Sequence, residues 1–298
     1  MPTITQLYGL TVRQIREIFK SISSDALPLH WLDGWLSYVL NQPLAFFITD
    51  GDYQPTEDEI SNIQAGLARL SSGEPLAYLI GRQSFWGREF LVNAHTLIPR
   101  ADTEILIETV LNHPKFKQNT DRLDDITKPI TILDLGTGTG CIGITLALEL
   151  PFAQVTLVDV STEALKIAAQ NSQRLEAGCQ VLQSDWFAKV VDKFDLIITN
   201  PPYINENDKH LIRLQHEPIT ALVAAESGLA DIRRIIDEGR AYLNDGGLMV
   251  IEHGFDQAVA VRTLYEQAGY ANVRTVQDYG ANDRATLGQY RQDDRGGE

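Results

Sequence analysis

The sequence predicts an α/β protein with a doubly wound, mostly parallel sheet and a small all-helical domain in front of it. From residue 130 onward, apolar runs of strand length alternate with helical spacing, which is typical of a parallel sheet covered by helices on both faces. A glycine-rich loop follows the first of these strands, as in Rossmann-like folds. Residues 1–75 carry helical spacing without strand patterns. We therefore predict a helical bundle at 1–75, a β-hairpin linker at 76–99 and a Rossmann-like domain at 100–298.

The first elements follow from local spacing. Two apolar stripes indicate helices: Val12, Ile15, Ile18 and Phe19, then Trp31, Trp35, Tyr38 and Val39. A third helix is predicted to begin at a capping box, in which Thr56 is followed three positions later by Glu59, and to end at 71–73. Short strands broken by glycines are expected at 78–81, 85–87 and 90–92. A helix through 105–110 and a polar loop at 114–129 complete this part of the chain.

The sheet follows from residue 130. We predict strands at 130–135, 154–160, 180–183, 194–199 and 248–252, and helices at 141–150, 162–172, 229–243 and 256–268. A hairpin that pairs 271–277 with 284–290 and a disordered acidic tail are expected at the end. Ligands of such sheets bind beyond the carboxyl ends of the strands. Motifs that directly follow strands therefore mark the expected site.

The composition is that of an ordinary globular protein, with 44% apolar and 22% charged residues among 298. Cys141 and Cys179 show no metal-ligand spacing, so we expect inert thiols, a reducing compartment and no metal. His253 lies near the predicted site, and a structural role is favoured over a catalytic one. The N-terminus lacks the pattern of a signal peptide, and no apolar run approaches the roughly 20 residues that span a bilayer. We expect a cytoplasmic monomer with no membrane association.

The balance of charged residues indicates which class of partner the protein binds. Asp and Glu outnumber Lys and Arg by 40 to 25, which gives a net charge of −15. Proteins whose affinity comes from phosphate contacts carry basic surfaces, and no Lys/Arg cluster longer than a pair occurs here. The balance disfavours a stable nucleic-acid partner and favours a protein or a small molecule.

The glycine loop joins the first parallel strand to its helix. It runs from Asp134 through Leu135 to Gly136, Thr137, Gly138, Thr139 and Gly140. Glycines permit positive φ and close approach of the backbone to a ligand at the N-terminus of the helix. Because Gly138, Gly140 and Gly143 also fit the dinucleotide pattern, the loop predicts a nucleotide-like cofactor without identifying it.

Acidic residues follow the second and third strands. Asp159 ends the second strand 23 positions after Gly136, a spacing at which a carboxylate accepts hydrogen bonds from ribose hydroxyls. It could also cap the helix that begins near Ser161. After the third strand, Asp185 could accept from an adenine amine while Trp186 packs beside the ring. Capping and core roles for Asp185 and Trp186 have nearly equal weight.

The most informative motif is Asn200–Tyr203, with the sequence Asn-Pro-Pro-Tyr, directly behind the apolar strand at 194–199. An amide nitrogen is a poor nucleophile because its lone pair is delocalised. The side-chain oxygen of Asn200 and the carbonyl of Pro201 can hold two N–H groups and aim such a nitrogen at a methyl donor. Pro202 stiffens the turn, and the ring of Tyr203 can cover a planar substrate. The motif predicts methyl transfer to an amide or to an exocyclic base amine.

The chain resembles the HemK/PrmC family of protein-glutamine N5-methyltransferases over nearly its whole length. The resemblance rests on 74–81, 85–87, 97–100, 134–140, 184–187, 200–203, 217–222, 252–254 and 278–280. Asn-Pro-Pro-Tyr is shared with adenine-N6 methyltransferases, whereas the segment at 74–81 followed by Leu-Ile-Pro-Arg at 97–100 is more specific. The family usually has proline where this chain has Ala101, which affects local rigidity only.

The resemblance implies a class I S-adenosylmethionine-dependent methyltransferase that modifies the glutamine of the Gly-Gly-Gln motif of bacterial peptide chain release factors. It implies that S-adenosylmethionine is bound by Gly136–Gly140, Asp159, Trp186 and Asn200. Asn200–Tyr203 would hold the substrate glutamine, and the helical domain would dock the release factor. Three alternatives remain: an adenine-N6 methyltransferase, a cofactor-binding module without catalysis, and a nicotinamide dehydrogenase.

Overall fold

The computed structural model describes residues 7–121, 129–150 and 152–291. The chain forms two compact units. The helical unit contains the chain up to Arg82 together with Ile212–His216, and the sheet unit contains Gln83–Leu211 and the chain from Glu217 onward. Among the described residues, no helix combines the length and the apolarity needed to cross a bilayer. The predicted acidic tail and part of the predicted loop at 114–129 lie outside the described residues.

The helical unit is built from five described helices: α1 (Val12–Ile22), α2 (Leu29–Leu40), α3 (Phe46–Thr49), α4 (Glu57–Ser71) and α5 (Leu76–Ile80). The predicted capping box at the start of α4 is confirmed. The backbone N–H of Glu59 donates to the hydroxyl of Thr56 at 3.3 Å, and the carboxylate of Glu59 accepts from the backbone N–H of Thr56 at 2.7 Å. An equivalent box of Thr11 and Gln14 begins α1. Both helices thereby satisfy N–H groups that their first turns would otherwise leave unpaired.

The core of the helical unit confirms the first predicted stripe in α1, where Val12, Ile15 and Phe19 are buried. The second stripe is confirmed in part, because Trp35 is buried and Trp31 and Val39 are partly buried against the same core. The buried residues are Leu32, Trp35, Leu36 and Leu40, whereas Tyr38 is 51% exposed. The indole of Trp35 packs against Gly66 of α4 and donates to the carbonyl of Ile63 at 3.2 Å. This close approach selects the face of α2 that is buried.

The strand predicted at 78–81 is wrong, because these residues belong to the short helix α5 and to its end at Gly81. The signal was present in the sequence: Pro75 precedes the helix, and Gly81 follows it in the left-handed conformation. The hairpin consists of β1 (Arg82–Phe85) and β2 (Arg88–Leu91). The backbone of Leu91 exchanges two hydrogen bonds of 2.7 and 3.0 Å with the side chain of Asn171, so the hairpin is held on the sheet unit.

The large sheet of the sheet unit has seven described strands in the order β5-β4-β3-β6-β7-β9-β8. Their bounds are β3 (Thr131–Leu135), β4 (Gln154–Asp159), β5 (Gln180–Gln183), β6 (Phe194–Thr199), β7 (Leu243–Glu252), β8 (Ala271–Gln277) and β9 (Asp283–Gln289). The strands from β5 to β7 are parallel, and β9 pairs antiparallel with both β7 and β8. The predicted mostly parallel, doubly wound sheet is confirmed.

Helices cover both faces of this sheet. They are α6 (Glu104–Leu111), α7 (Pro114–Asp121), α8 (Cys141–Glu149), α9 (Thr162–Arg174), α10 (Ala225–Gly228), α11 (Ala230–Gly239) and α12 (Ala258–Gln267). The loop predicted from 114 is wrong at its start, where α7 forms. Buried apolar side chains on the two faces, such as Ile132 and Leu133 of β3, enter different core clusters. The central strands are therefore apolar on both sides, as their sequences predict.

Candidate active site

A cleft of about 400 Å³ lies at the carboxyl ends of the parallel strands. Of the residues predicted for the site, seven line it: Gly136, Gly138, Asp159, Asp185, Trp186, Asn200 and Pro202. The remaining walls come from residues that sequence reasoning missed: His95, Thr96, Leu97, Val158, Val160, Ser161, Ala164, Ser184, Pro218, Thr220, Ala221 and Asp231. Thr137, Thr139, Gly140, Pro201 and Tyr203 do not line the cleft and lie behind its surface.

Asp134, which is fully buried near the end of β3, holds the glycine loop from its buried side. Its Oδ2 atom accepts from the hydroxyl of Thr137 at 2.6 Å and from the backbone N–H of Gly143 at 2.9 Å. Burial raises the pKa of Asp134 to about 6, and these two hydrogen bonds oppose that shift. Oδ1 is buried without a hydrogen-bond partner in the described part of the chain. Asp134 and Thr137 thus shape the loop rather than face the cleft.

Gly136 requires glycine for two reasons. Its φ of +67° is in the left-handed region, and a Cβ at this position would lie 3.3 Å from the Trp186 ring. The bare backbone and the indole therefore form one continuous wall of the cleft. Thr139 is buried, and its carbonyl accepts from the side chain of Asn171 at 2.9 Å, while Gly140 begins α8. These two residues anchor the loop to its neighbours.

Asp159 ends β4 and binds the loop as well as the next helix. Its Oδ2 atom accepts from the backbone N–H of Gly138 at 2.9 Å, and Oδ1 accepts from the backbone N–H of Ser161 at 2.8 Å. Ser161 in turn caps α9. Burial raises the pKa of Asp159, and the backbone hydrogen bonds oppose it. A carboxylate oxygen can accept more than one hydrogen bond, so Asp159 can cap and also bind a ribose hydroxyl.

Trp186 has a positive φ of 45° and a ring that faces Gly136. Its Nε1 atom donates to Oδ1 of Asp231 at 3.3 Å, and burial raises the pKa of Asp231. Asp185 is paired with Arg234 at 2.9 Å and its side chain is 59% exposed. The two acids thus hold different positions: Asp185 lies in an exposed ion pair, and Asp231 supports the indole. Nothing in the periodicity of α11 marks Asp231, because its role depends on contact with a loop 45 residues earlier.

Asn200 follows β6, which lies between β3 and β7 at the centre of the sheet. Its Nδ2 atom donates to the hydroxyl of Thr103 at 3.2 Å. This bond occupies Nδ2, so Oδ1 is the acceptor that Asn200 can offer at the cleft that it lines. Pro201 is buried and Pro202 lines the cleft, so the turn is rigid.

Tyr203 is held at both ends. Its hydroxyl donates to Oε1 of Glu252 at 3.2 Å, and its carbonyl accepts from the side chain of Gln257 at 3.0 Å. Burial raises the pKa of Tyr203, and the charge of Glu252 adds to this. The ring therefore remains a neutral phenol in a fixed position behind the first three residues of the motif.

A buried carboxylate also orders the far wall of the cleft. Glu217, which is 6% exposed, accepts from the backbone N–H of Ile98 at 3.1 Å and pairs with the guanidinium of Arg100. It thereby joins the segment that contains Leu97 to the segment that contains Pro218. The sequence signal available for it was an acid directly before a proline, which does not by itself predict burial.

His253 and the two cysteines take no part in the cleft. Both ring nitrogens of His253 are within 2.9 Å of partners, the carbonyl of Gly254 and the hydroxyl of Thr286, and burial lowers its pKa. Burial raises the pKa of Cys141 to about 12 and that of Cys179 to about 11, so both thiols stay protonated. Within the described ranges, no cluster of His, Cys, Asp or Glu could hold a metal ion.

The residues present fit a nucleoside cofactor with a polar tail. The loop offers a bare glycine backbone next to an indole, and an acid stands at the ribose position beyond β4. The cavity volume is within the range of sites for small molecules. A flat base can lie beside Trp186 while the ribose meets Asp159.

Comparison with known proteins agrees with this geometry. The family model described as the methyltransferase small domain matches residues 120–222, and that of the PrmC N-terminal domain matches residues 13–81. The release factor glutamine methyltransferase of Vibrio cholerae is 44% identical over 261 residues, covering 86% of this chain and 87% of that protein. The protein of the same name from Escherichia coli is 40% identical over 282 residues, covering 93% and 98%.

Among solved structures, the hMettl16 catalytic domain matches with a TM-score of 0.52 and 17% identity, covering 76% of this chain and 93% of that chain. This likeness concerns the fold alone, and the methyltransferase domain is carried by the match of residues 120–222 to the family model. The sequence relatives extend over both units and over the cleft. The chain therefore belongs to the release factor glutamine methyltransferase family.

Proposed function

We propose that this protein transfers a methyl group from S-adenosylmethionine to the side-chain nitrogen, N5, of the glutamine in the Gly-Gly-Gln motif of bacterial peptide chain release factors. Through this reaction it would modulate translation termination. The observation that carries the proposal is the Asn200–Tyr203 turn, whose Asn200 amide is anchored to Thr103 and which lines the cleft with Asn200 and Pro202.

S-adenosylmethionine is the methyl donor of this family, and when bound it supplies an electrophilic methyl group on its sulfonium sulfur. The loop Gly136–Gly140 would hold its polar tail through the backbone, and Asp159 would accept from its ribose hydroxyls. Trp186 would pack beside the adenine. Because Asp185 is paired with Arg234, we assign it a weaker share in adenine binding than the indole.

The substrate amide would be held by two acceptors. Oδ1 of Asn200 and the carbonyl of Pro201 would each accept one N–H of the glutamine side chain, which fixes the plane of the amide and directs its nitrogen at the methyl group. The same acceptors stabilise the positive charge that develops on nitrogen during transfer. Pro202 stiffens the turn, and Tyr203, which lies behind the cleft surface, would support the turn through its bonds to Glu252 and Gln257.

The chain does not need a strong base for this reaction. As the nitrogen gains the methyl group it becomes more acidic, and one of its two protons can leave to water after transfer. The carboxylate of Asp134 is buried beneath the glycine loop and that of Glu252 behind the motif, and neither residue lines the cleft. The site would therefore accelerate methyl transfer by orienting the amide and stabilising the developing charge, rather than by abstracting a proton.

The helical unit would dock the release factor, which is supported by the match of residues 13–81 to the PrmC N-terminal domain. A cytoplasmic location fits a substrate that acts in translation. We further propose a monomer without a stable nucleic-acid partner, because the net charge of −15 disfavours phosphate contacts.

The proposal is tested with purified protein and methyl-labelled S-adenosylmethionine. The protein is offered a bacterial release factor, the same factor with the motif glutamine changed to alanine, and duplex DNA. We expect label on the intact factor alone. Label on both forms of the factor would move the modified residue elsewhere, and label on DNA alone would favour adenine methylation. Cofactor binding without label on any substrate would contradict the catalytic function.

A further inference from the structure

A buried carboxylate lies directly behind the Asn200–Tyr203 turn. Glu252 is the last residue of β7 and is 1% exposed. Thr199 of β6 is paired with Ile251 of β7, so Asn200 and Glu252 are the next positions on two adjacent parallel strands. The carboxyl ends of two neighbouring strands therefore bring a charged group and the proposed amide-binding turn together.

The contacts of Glu252 lead to the turn. Oε1 accepts from the hydroxyl of Tyr203 at 3.2 Å, while Oε2 is buried and has no hydrogen-bond partner among the residues that the structure describes. Thr103, which accepts the Asn200 amide at 3.2 Å, is 2% exposed and is also a neighbour that favours the ionised form of Glu252. Asn200 and Tyr203, the two ends of the motif, are thus both linked to the surroundings of Glu252, Asn200 through Thr103 and Tyr203 by a direct hydrogen bond.

The charge of Glu252 is balanced from a distance rather than by a direct ion pair. Arg284 precedes Ala285, the β9 partner of Glu252, and its guanidinium forms ion pairs with Asp278 at 2.9 Å and Asp102 at 3.4 Å. Burial raises the pKa of Glu252 to about 7; the Thr103 and Tyr203 hydroxyls and the charge of Arg284 oppose this, and Asp102 adds to it. Cys141 is a further titratable neighbour.

Such a carboxylate is not explained by stability. A buried charge with one unsatisfied oxygen is destabilising relative to an apolar side chain of similar volume. Methionine has a similar length and would remove the cost of burying this carboxylate. What an apolar residue could not provide is an acceptor for the hydroxyl of Tyr203.

We propose that Glu252 is a positioning residue for the methyl transfer, which fixes the ring of Tyr203 through the hydroxyl hydrogen bond and so holds the Asn200–Tyr203 turn in its productive shape. This inference rests on the proposed function, because the turn is assigned there to the substrate amide. Glu252 does not touch substrate or cofactor; it acts through Tyr203. A substitution at Glu252 therefore affects kcat more than the affinity for the cofactor.

The test uses the full chain and four variants: Tyr203→Phe, Glu252→Gln, Glu252→Met, and the double variant Tyr203→Phe with Glu252→Met. Glu252→Gln keeps an acceptor oxygen and the side-chain length, and Glu252→Met keeps the length without the acceptor. The measurements are kcat and KM with the release factor, and the affinity for S-adenosylhomocysteine by calorimetry. Circular dichroism establishes that each variant is folded.

We expect Tyr203→Phe and Glu252→Met each to lower kcat about tenfold, the size of one lost hydrogen bond, with unchanged affinity for S-adenosylhomocysteine. The double variant is no slower than either single variant, because both remove the same bond. Glu252→Gln retains most of the wild-type kcat. Multiplied effects in the double variant, or a fall in cofactor affinity parallel to kcat, would overturn the proposal and assign Glu252 a general structural role.

Tyr203→Phe keeps the proposal testable if Glu252→Met does not fold. This variant removes one oxygen atom, and a wild-type kcat in it would overturn the positioning role of the hydroxyl and therefore of Glu252. The wild-type protein is measured in the same assay. Absence of methylation by the wild type contradicts the proposed function, whereas a wild-type rate in all variants contradicts only the role of Glu252.

Discussion

The two units differ in what they bury. In the described part of the chain, every buried polar or charged side chain lies in the sheet unit, and Asp134, Glu217 and Glu252 are among them. The described core of the helical unit is apolar, and the ion pair of Arg16 with Asp33 in this unit retains side chains that are 24% and 13% exposed. Buried polar groups destabilise a fold unless they are fully paired.

This difference indicates that the sheet unit, rather than the helical unit, contains groups that lower stability and support function. The sheet unit keeps polar groups behind its glycine loop and its Asn-Pro-Pro-Tyr turn, where they orient atoms that face the cleft. The described residues of the helical unit include no buried polar side chain, and their pattern is explained by packing and capping. We therefore expect substitutions in the sheet unit to separate activity from stability and substitutions in the helical core to change stability alone.

The largest effect is expected for Asn200→Ala. Removal of the acceptor that holds the substrate amide should lower kcat by at least about 100-fold, as for other groups that stabilise developing charge. Cofactor affinity and the melting temperature should change little. Asn207→Ala, at an exposed position in the following loop, is the matched control. Wild-type turnover in Asn200→Ala would contradict the role of Asn200 as the acceptor for the substrate amide. It would also contradict the view that the buried polar groups behind the turn support activity through Asn200.

The second-largest effect is expected in the pH dependence of stability, when Glu252→Gln is compared with the wild type. The pKa of Glu252 is about 7 in the folded protein and about 4.5 when unfolded, so the folded state binds more protons between these values and loses stability as pH rises through them. In Glu252→Gln this loss is absent. Relative to wild type, the variant should gain about 2–3 kcal/mol in the free energy of unfolding between pH 5 and pH 8.

Urea unfolding at pH 5, 6, 7 and 8 measures this difference. Asp134, whose pKa is raised to about 6, contributes in the same direction at lower pH and is present in both proteins, so it cancels in the comparison. A stability difference that does not vary with pH would contradict the assignment of a titrating buried charge to Glu252.

In the helical unit, Gly66→Ala tests whether packing against Trp35 outweighs helix propensity in setting stability. Alanine is the better helix former by about 0.5–1 kcal/mol, but its Cβ would lie 2.0 Å from the Trp35 ring. Overpacking of this kind destabilises by about 1–3 kcal/mol, so the clash should win. Ser61→Ala, at an exposed position of α4, is the control and should be neutral or stabilising. Cofactor affinity of Gly66→Ala should equal that of wild type by calorimetry.

Asp159→Asn should weaken cofactor binding. The amide keeps one acceptor oxygen but adds a donor next to the backbone N–H groups of Gly138 and Ser161, so at least one hydrogen bond is lost. We expect the dissociation constant for S-adenosylhomocysteine to rise about tenfold. The exposed Asp192→Asn serves as the control. An unchanged constant would restrict Asp159 to its capping role.

The smallest effect concerns docking. Leu44 and Ile48 of the helical unit are apolar and 58% and 80% exposed. If the unit docks the release factor, the double substitution Leu44→Asp with Ile48→Asp should raise KM roughly threefold to tenfold while kcat stays constant. Val191→Asp, at a residue of the sheet unit that is 89% exposed, is the matched control. A higher KM only in the control would contradict docking through these residues.

Much of the fold could be predicted from the sequence because its signals are local. Alternation of strands and helices, the capping box at Thr56 and the glycines after β3 each depend on residues close in the chain. The same holds for Asn200–Tyr203, since four adjacent residues place an acceptor, a rigid turn and a ring at one strand end. The errors at 78–81 and at 114 arose in short segments, where five to eight residues carry too little periodicity to separate helix from strand or loop.

The sequence by itself determined the alternation of strands and helices in the sheet unit, the order of the motifs, and the chemistry of the glycine loop and the Asn200–Tyr203 turn. Only the tertiary structure decided which residues support them: Thr103 under Asn200, Asp231 beside Trp186, Glu217 between two walls, and Glu252 behind Tyr203. These partners are separated in the chain by 45 to 119 residues. No local pattern encodes such contacts, because they arise from strand order and from the packing of distant segments at one edge of the sheet.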